Sequence, residues 1–186
     1  MIIRLKQTKF ACIVADPAWK FKDSLPGNTR GAAKNYHVEM LEKIKRTKLP
    51  PIADDAYLFM WRVSAMVPEA YEVVKAWEFN HKSEIVWNKK TKHGKQHFGM
   101  GHHVRASHES CIIATRGRPE RLNKNTRSLF DTVFEAVVPS EHSKKPDEFY
   151  ALIEAFCNGP RVELFAREQR KGWTCLGDEM PNPTIL

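Results

Sequence analysis

Short segments that favour β-strands alternate along this chain with segments that show helical periodicity. The strand-like segments are 11–15, 56–61, 85–87, 110–115, 132–138, 161–166 and a last short one at 173–176. The helical segments are 38–48, 68–77 and one that Lys145-Pro146-Asp147-Glu148 opens and that runs to Cys157. Strands alternating with helices favour a mostly parallel sheet with helices on both faces. We therefore predict one α/β domain spanning residues 1–186.

Composition agrees with an ordinary globular domain. Hydrophobic residues make up 42% of the 186 residues and charged residues 28%, which is typical of soluble proteins. The apolar runs are far shorter than the roughly 20 residues that a membrane-spanning helix needs, and the N-terminus lacks a signal-peptide pattern. We expect a cytoplasmic protein with no membrane partner. Three polar, glycine-containing segments, 22–34, 88–104 and 116–128, are predicted to be loops.

The cysteines and histidines are the residues that could form disulfide bonds or bind a metal ion. The four cysteines, Cys12, Cys111, Cys157 and Cys175, are too scattered for a zinc or redox motif, so we expect reduced, mostly buried thiols. Five histidines lie close together in sequence, at 93, 97, 102, 103 and 108. No carboxylate or thiolate ligand pattern accompanies them, so we expect no metal site.

Positive charge is concentrated in one part of the chain. The segment 86–130 holds ten Lys and Arg residues and two carboxylates. The net charge of this segment therefore equals the formal net charge of the whole chain, +8. A localised basic excess is how a phosphate-binding surface appears in a sequence. The alternative is a solvated basic surface without a ligand. We predict that charge reversal at Lys89, Lys90 and Lys92 weakens nucleic-acid binding and reduces the salt dependence of that binding.

The motif Asp16-Pro17-Ala18-Trp19 follows the first predicted strand. In open α/β sheets, ligands bind beyond the carboxyl ends of strands. A site of this kind suits an aromatic amine, such as the planar amino group of a nucleic-acid base. Two acceptors must hold its two hydrogens while the nitrogen turns its lone pair toward an electrophile. The Asp16 carboxylate and the Pro17 carbonyl oxygen could be these acceptors, and Trp19 could stack on the base. By itself the motif is more typical of an ordinary turn with a buried indole than of such a site.

Further segments make a resemblance specific. In order along the chain they are ADPAW from Ala15, YLFMW from Tyr57, EIVWNK from Glu84, GHHVRASHES from Gly101, the Thr115-Arg116-Gly117 turn, HSKKPDEFY from His142, VELFAR from Val162, and the following GW and LGDE. The chain resembles the adenine-N6 methyltransferase family that includes the catalytic subunit of the eukaryotic mRNA adenosine methyltransferase and smaller bacterial and phage relatives. The resemblance covers nearly the whole chain.

This resemblance implies a single Rossmann-like class I methyltransferase domain with a permuted motif order, which explains why no glycine-rich fingerprint follows an early strand. It also implies S-adenosyl-L-methionine as cofactor. By position, Asp16 would contact the cofactor and Lys145 would neutralise its carboxylate. Phe165 would line the pocket. The residues implied at its ribose and adenine ends are Arg167, Gln169, Asp178 and Glu179.

The resemblance further implies substrate contacts. Trp61 and Trp87, at strand ends, would form walls of the substrate pocket, although strand tryptophans are often simply core residues. The residues implied near the target nucleotide or its phosphate are Lys89, Arg105, His108 and Glu109. The chain departs from the family pattern at Ala18, where a second proline is usual, and at Asp178 and Glu179, which replace amide-type residues.

Several functions stay open at this point. The leading one is methyl transfer to N6 of adenine in DNA, because the chain looks like the compact prokaryotic or phage members without RNA-binding modules. RNA is the nearest alternative substrate. The chain could also be a catalytically silent nucleic-acid-binding subunit of the same fold, or a basic nucleic-acid-binding protein with no enzymatic role. We expect a homodimer or a partner protein to help hold the duplex.

Overall fold

The computed structural model describes residues 8–19, 41–100, 103–120, 131–141, 144–178 and 180. Its strands are β1 (Phe10–Ala15), β2 (Ile52–Arg62), β3 (Asn80–Lys90), β4 (His108–Arg116), β5 (Val133–Val137), β6 (Arg161–Leu164) and β7 (Thr174–Leu176). Its α-helices are α1 (Leu41–Lys45), α2 (Val67–Ala76) and α3 (Asp147–Phe156), with a short 3-10 turn at Ser64–Met66 before α2.

All seven strands join one sheet in the order β5-β3-β4-β2-β1-β6-β7. Strand β4 runs antiparallel to its neighbours β2 and β3, whereas the other four pairings are parallel. The sheet is therefore mostly parallel, as the alternation of strands and helices predicted.

Alternate residues of each central strand point to opposite faces, because the side-chain period of a strand is two. In β1, Ile13 and Ala15 join a core with α1 and α2, whereas Cys12 and Val14 join a second core with α3. Continuous apolar runs such as Leu58 to Trp61 fit strands that are buried on both faces. The prediction of helices on both faces of the sheet is confirmed.

Two strands are longer than their apolar patterns predict. Strand β2 begins at Ile52 rather than at Ala56, and β3 runs from Asn80 to Lys90 rather than over 85–87. The predicted loop 88–104 was therefore wrong at its start, because 88–90 pair with β5. Polar residues join these strands because neighbouring strands satisfy their backbone groups, which side-chain patterns do not report.

The predicted helices are present with small differences at their ends. Helix α2 has Pro68 in its first turn and buries Ala70, Val73 and Val74, and α3 ends before Asn158-Gly159-Pro160. Of the helix predicted over 38–48, only 41–45 are helical among the described residues. The predicted loop 22–34 and most of the loop 116–128 lie outside the described residues.

The sheet has a topological switch point between β1 and β6. From β1 the chain continues to β2 on one side, and from β6 it continues to β7 on the other. In open α/β sheets the crevice at such a point, beyond the carboxyl ends of the strands, is where ligands bind. The residues that follow Ala15 and Leu164 therefore lie at the expected ligand crevice.

All four cysteines are buried and free of disulfide bonds, as predicted. None of the helices in the described ranges is long and apolar enough to cross a membrane. Within the same ranges, no group of three or more His, Cys, Asp or Glu side chains is arranged to hold a metal ion. His102, one of the five clustered histidines, lies outside them.

Candidate active site

The switch point places an acidic and an aromatic residue side by side. Asp16 follows the end of β1, and Phe165 follows the end of β6, which pairs with β1 through Ala15 and Leu164. Pro17, directly after Asp16, is buried and has no N–H that could continue the strand pairing. A carboxylate and a turning backbone thus lie at the mouth of the crevice.

Four charged side chains form an alternating chain, Lys89–Glu109–Lys145–Asp16, that we call the ion chain. The Lys145 ammonium Nζ lies 2.7 Å from Asp16 Oδ2 and 3.3 Å from Glu109 Oε2. Glu109 Oε1 lies 2.5 Å from Lys89 Nζ. The Lys145 side chain is 7% exposed and that of Asp16 is 18% exposed. Every charge in the ion chain is compensated by a neighbour of the opposite sign.

The register of the sheet explains why these residues meet. Trp87 of β3 pairs with Glu109 of β4, and Trp61 of β2 pairs with Cys111, two positions further along β4. Residues two positions apart on a strand point to the same face, so these side chains lie on the face that α3 covers. Lys145 comes from the helical layer that covers this face of the sheet, because it lies just before Pro146, the N-cap of α3. A lysine near the positive end of a helix dipole is unfavourable by itself, and the two carboxylates offset that cost.

Electrostatics keep the two central groups of the ion chain, Glu109 and Lys145, charged. Burial disfavours the ionised form of Glu109, but the ammonium groups of Lys145 and Lys89 outweigh it and hold its pKa at about 2. Burial likewise acts to lower the pKa of Lys145, and the Asp16 and Glu109 carboxylates outweigh it and raise that pKa. Lys145 and Glu109 therefore remain charged throughout the neutral pH range.

Two tryptophans, Trp61 and Trp87, form the floor beneath the ion chain. Their rings meet edge to face with centroids 6.4 Å apart. Lys145 Nζ lies 5.2 Å from the Trp61 ring centroid, and Lys89 Nζ lies 5.0 Å from that of Trp87. Both side chains are buried, and Trp87 lies three residues before the end of β3, so its predicted place at a strand end was wrong. The indole N–H of Trp87 donates to the Ala136 carbonyl oxygen, whereas that of Trp61 is buried without a described acceptor.

Trp19 has a different environment. Its ring is buried in the core beside α1 and α2, and its indole N–H donates to the Trp61 carbonyl oxygen at 3.0 Å. This bond ties the segment after Asp16 to the end of β2. The stacking of Trp19 on a base stays a prediction, and its described contact is an anchoring one.

Residues predicted to bind a cofactor lie at the ends of β6 and β7. Phe165 is half-buried and has a left-handed backbone with φ of 61°, which is rare for an aromatic residue and typical of functional sites. The Ala166 N–H donates to the Leu176 carbonyl oxygen, and a Cβ on Gly177 would collide with the Ala166 carbonyl oxygen. This close approach places the exposed Asp178 beside the Phe165 turn.

The other predicted cofactor ligands differ from one another in burial and in contacts. Arg167 is half-buried, and its charge opposes protonation of Lys145, so it lies near the ion chain. Gln169 is exposed, and its side-chain amide donates to the Trp173 carbonyl oxygen at 3.3 Å. Glu179 lies outside the described residues.

Two predicted substrate ligands are exposed. His108 begins β4 opposite Asn88. Arg105 lies before β4, with its guanidinium 5.4 Å from the centroid of the Phe98 ring. No described ion pair or hydrogen bond connects either side chain to the ion chain.

Sequence reasoning missed a second polar cluster behind the site. The Tyr150 hydroxyl donates to Glu163 Oε1 at 2.6 Å, and burial raises the pKa of Glu163. The Arg170 guanidinium lies 3.5 Å from the Tyr150 ring centroid and pairs with Asp147 at 3.1 Å. These contacts join α3 to the segment after Phe165. A lone glutamate between Val162 and Leu164, inside an apolar strand, was the signal that could have revealed them.

The strand order and this site are those of an enzyme with a Rossmann-like fold. Its ligand crevice lies at the switch point of the mostly parallel sheet. The profile of the MT-A70 family matches residues 10–179. The chain belongs to the MT-A70 family, and its fold is the Rossmann-like methyltransferase fold of that family.

Individual relatives differ in how much of their length is matched. The human N(6)-adenosine-methyltransferase catalytic subunit METTL3 is 28% identical over 183 residues, which is 96% of this chain and 29% of that protein. The Drosophila melanogaster N(6)-adenosine-methyltransferase MT-A70-like protein is 27% identical over 92% of the chain and 27% of its own length. Type II methyltransferase M.MunI of a Mycoplasma species is 26% identical over 98% of this chain and 82% of its own length. The chain thus spans less than a third of the N(6)-adenosine relatives and most of M.MunI.

Proposed function

We propose that the chain transfers a methyl group from S-adenosyl-L-methionine to the N6 amino group of adenine in DNA. The observation that carries this proposal is the place of Asp16, whose carboxylate lies at the switch point, partly exposed and paired with the buried Lys145. A planar amino group needs an acceptor of this kind at a ligand crevice. Membership of the MT-A70 family supports methyl transfer as the reaction.

The residues at the crevice fit the cofactor's chemistry. Lys145 is a buried cation that can neutralise a carboxylate, and Phe165 presents an aromatic ring at the end of β6. Asp178 follows β7, the position at which related folds use an acidic residue to bind ribose hydroxyls. In our proposal these residues, with Asp16, Arg167, Gln169 and Glu179, hold the cofactor. When bound, it supplies a methyl group activated by attachment to a positively charged sulfur.

The chain's own residues then orient the amine. The Asp16 carboxylate accepts one N–H of the adenine amino group and the Pro17 carbonyl oxygen accepts the other. A carboxylate has about four lone-pair sites, so the bond from Lys145 leaves acceptor capacity on Asp16. Holding both hydrogens directs the nitrogen lone pair out of the base plane, and such orientation lowers the barrier by making the step effectively unimolecular.

The ion chain keeps this acceptor in place. Lys145 fixes one oxygen of Asp16, and Glu109 holds Lys145 from the other side. Trp61 and Trp87 form an apolar floor that excludes water and strengthens these interactions. Trp19 anchors the Asp16 segment to β2, so the carboxylate and the Pro17 carbonyl keep a fixed relation.

The choice of DNA over RNA rests on how much of each relative this chain matches. M.MunI, a Type II methyltransferase, is matched over most of its length, whereas the relatives named for N(6)-adenosine are matched over less than a third. The basic excess of the segment 86–130 suits either nucleic acid. RNA is therefore the second substrate to test.

The test is methyl transfer from labelled S-adenosyl-L-methionine to duplex DNA, single-stranded DNA and RNA, followed by nucleoside analysis. We expect N6-methyladenine in DNA from the wild type and a loss of at least about 100-fold in Asp16→Asn, because the uncharged amide cannot accept in both required directions. Asp54→Asn is the matched control, since its exposed carboxylate pairs with Lys9 at the surface.

Three results would change the proposal. Methyladenine in RNA alone would replace the substrate. Equal turnover in Asp16→Asn and wild type would remove Asp16 from the reaction. Cofactor binding by calorimetry without product on any nucleic acid would favour the silent nucleic-acid-binding subunit.

We also propose that a second copy or a partner protein assists DNA binding, as the name of METTL3, a catalytic subunit, suggests for that relative. Sedimentation velocity with and without DNA tests this point. A monomer under both conditions, at concentrations that support turnover, would contradict it.

A further inference from the structure

The chain between β3 and β4 forms a structured arm next to the ion chain. We call residues 91–100 and 103–107 the arm. Isolated bridges join Lys90 to Gln96 and Gly99 to Ala106. The Gln96 side-chain amide donates to Asn88 Oδ1 and to the Lys89 carbonyl oxygen, both at 2.8 Å. The base of the arm is therefore tied to the strand that carries Lys89.

The arm exposes large apolar side chains. Phe98 is 53% exposed, Met100 is 95% exposed and Val104 is 78% exposed. The other large exposed apolar residues within the described ranges are Val133 and Val137 on the edge strand β5. Large exposed apolar side chains that are concentrated on one short segment mark an interaction site.

Basic residues are interleaved with these apolar ones. Lys92 and Lys95 are exposed, and the Arg105 guanidinium lies against the Phe98 ring. The sequence 91–107 contains no aspartate or glutamate. An apolar surface surrounded only by positive charge is complementary to stacked bases within a phosphate backbone, whereas the centres of protein interfaces are depleted of lysine.

We propose that the arm is a nucleic-acid contact whose Phe98 and Met100 pack against bases while Lys92, Lys95 and Arg105 contact phosphates. Apolar side chains that enter between base steps stabilise an unstacked nucleic acid, and an adenine must leave its stack to reach a crevice. The arm lies beside the ion chain, so it contacts nucleotides that flank the target. This inference rests on the proposed nucleic-acid substrate. It adds the surface that holds the nucleic acid in an unstacked state next to the target adenine.

The test compares substitutions of exposed apolar residues in the arm with substitutions of exposed apolar residues on β5. The test variant is Phe98→Ser/Met100→Ser, and the matched control is Val133→Ser/Val137→Ser on β5, where exposure is 50% and 47%. Binding to duplex and single-stranded DNA is measured by fluorescence anisotropy at several salt concentrations. We expect Kd to rise about tenfold in the arm variant with an unchanged salt slope, because base stacking is lost and no charge is removed. The control should stay within about twofold of wild type.

Turnover and sedimentation separate the possible failures. In the arm variant, KM for DNA should rise while cofactor affinity stays unchanged. An unchanged Kd would overturn the inference and leave the proposed function intact. A loss of oligomer in the arm variant would assign the arm to a protein partner instead. If the wild type binds no nucleic acid, the proposed substrate class fails first, and the inference fails with it.

Discussion

Two pairs of lysines only a few residues apart differ in what surrounds them. Lys89 and Lys90 end β3 and are paired with Glu109 and Glu135. Lys92 and Lys95, just beyond the strand in the arm, are exposed. The first pair balances carboxylates, whereas the second presents its charge to solvent. The formal charge of a segment therefore overstates what can contact phosphates, and Lys89, Lys90 and Lys92 do not form one equivalent group.

The largest expected effect comes from removing the centre of the ion chain. Lys145→Met leaves the carboxylates of Asp16 and Glu109 without their common cation, and we expect a loss of about 3–5 kcal/mol in the free energy of unfolding. The neighbouring Lys144→Met is the control. Lys144 pairs with Glu168 at 3.0 Å at the surface, so its loss should cost less than about 1 kcal/mol.

Urea denaturation of both variants at neutral pH measures this difference. Similar losses in the two variants would show that the buried and the surface lysine are energetically alike, and the comparison would fail. Methyl transfer should also disappear in Lys145→Met and persist in Lys144→Met.

A smaller effect is expected in the pH dependence of stability. Lys145 and Lys89 outweigh burial and hold the pKa of Glu109 at about 2 in the folded protein, against an ordinary value of 4.5. A lowered pKa stabilises the fold above the ordinary value, and this contribution is lost as the pH falls from about 4.5 toward 2. Glu109→Gln should therefore be less stable by roughly 2–3 kcal/mol at neutral pH and show a shallower acid loss.

Urea midpoints of wild type and Glu109→Gln across this range provide the measurement. Glu120→Gln, at an exposed glutamate, is the matched control. Parallel curves for wild type and Glu109→Gln would mean that the ion chain does not stabilise ionised Glu109.

The smallest effect concerns salt dependence. Lys92→Gln/Lys95→Gln should reduce the slope of log K against log salt by about 1.8 for duplex DNA, because each phosphate contact contributes about 0.9. Lys90→Gln removes a charge already balanced by Glu135 and should leave the slope unchanged. Anisotropy titrations at several salt concentrations distinguish the two variants. Equal slope changes would show that the paired lysine also contacts phosphate.

Part of the candidate site follows from local sequence alone. Asp16 lies beyond β1 because an apolar strand is ended by Pro17, and Lys145 lies before α3 because Pro146 and two acidic residues begin that helix. Each of these features depends on residues adjacent in sequence. Strand ends were harder to predict, as 80–84 and 88–90 show, because their polar residues are held by neighbouring strands.

By itself the sequence determined the alternation of strands and helices, the burial of the sheet on both faces and the place of Asp16 after β1. These depend on side-chain periodicity and on proline, which act over a few residues. Only the tertiary structure decided that Lys145 reaches Asp16 across 129 positions, that Lys89 neutralises Glu109 and that Tyr150 binds Glu163. Such pairs depend on strand order and register, because charges distant in sequence interact strongly only where the fold buries them together.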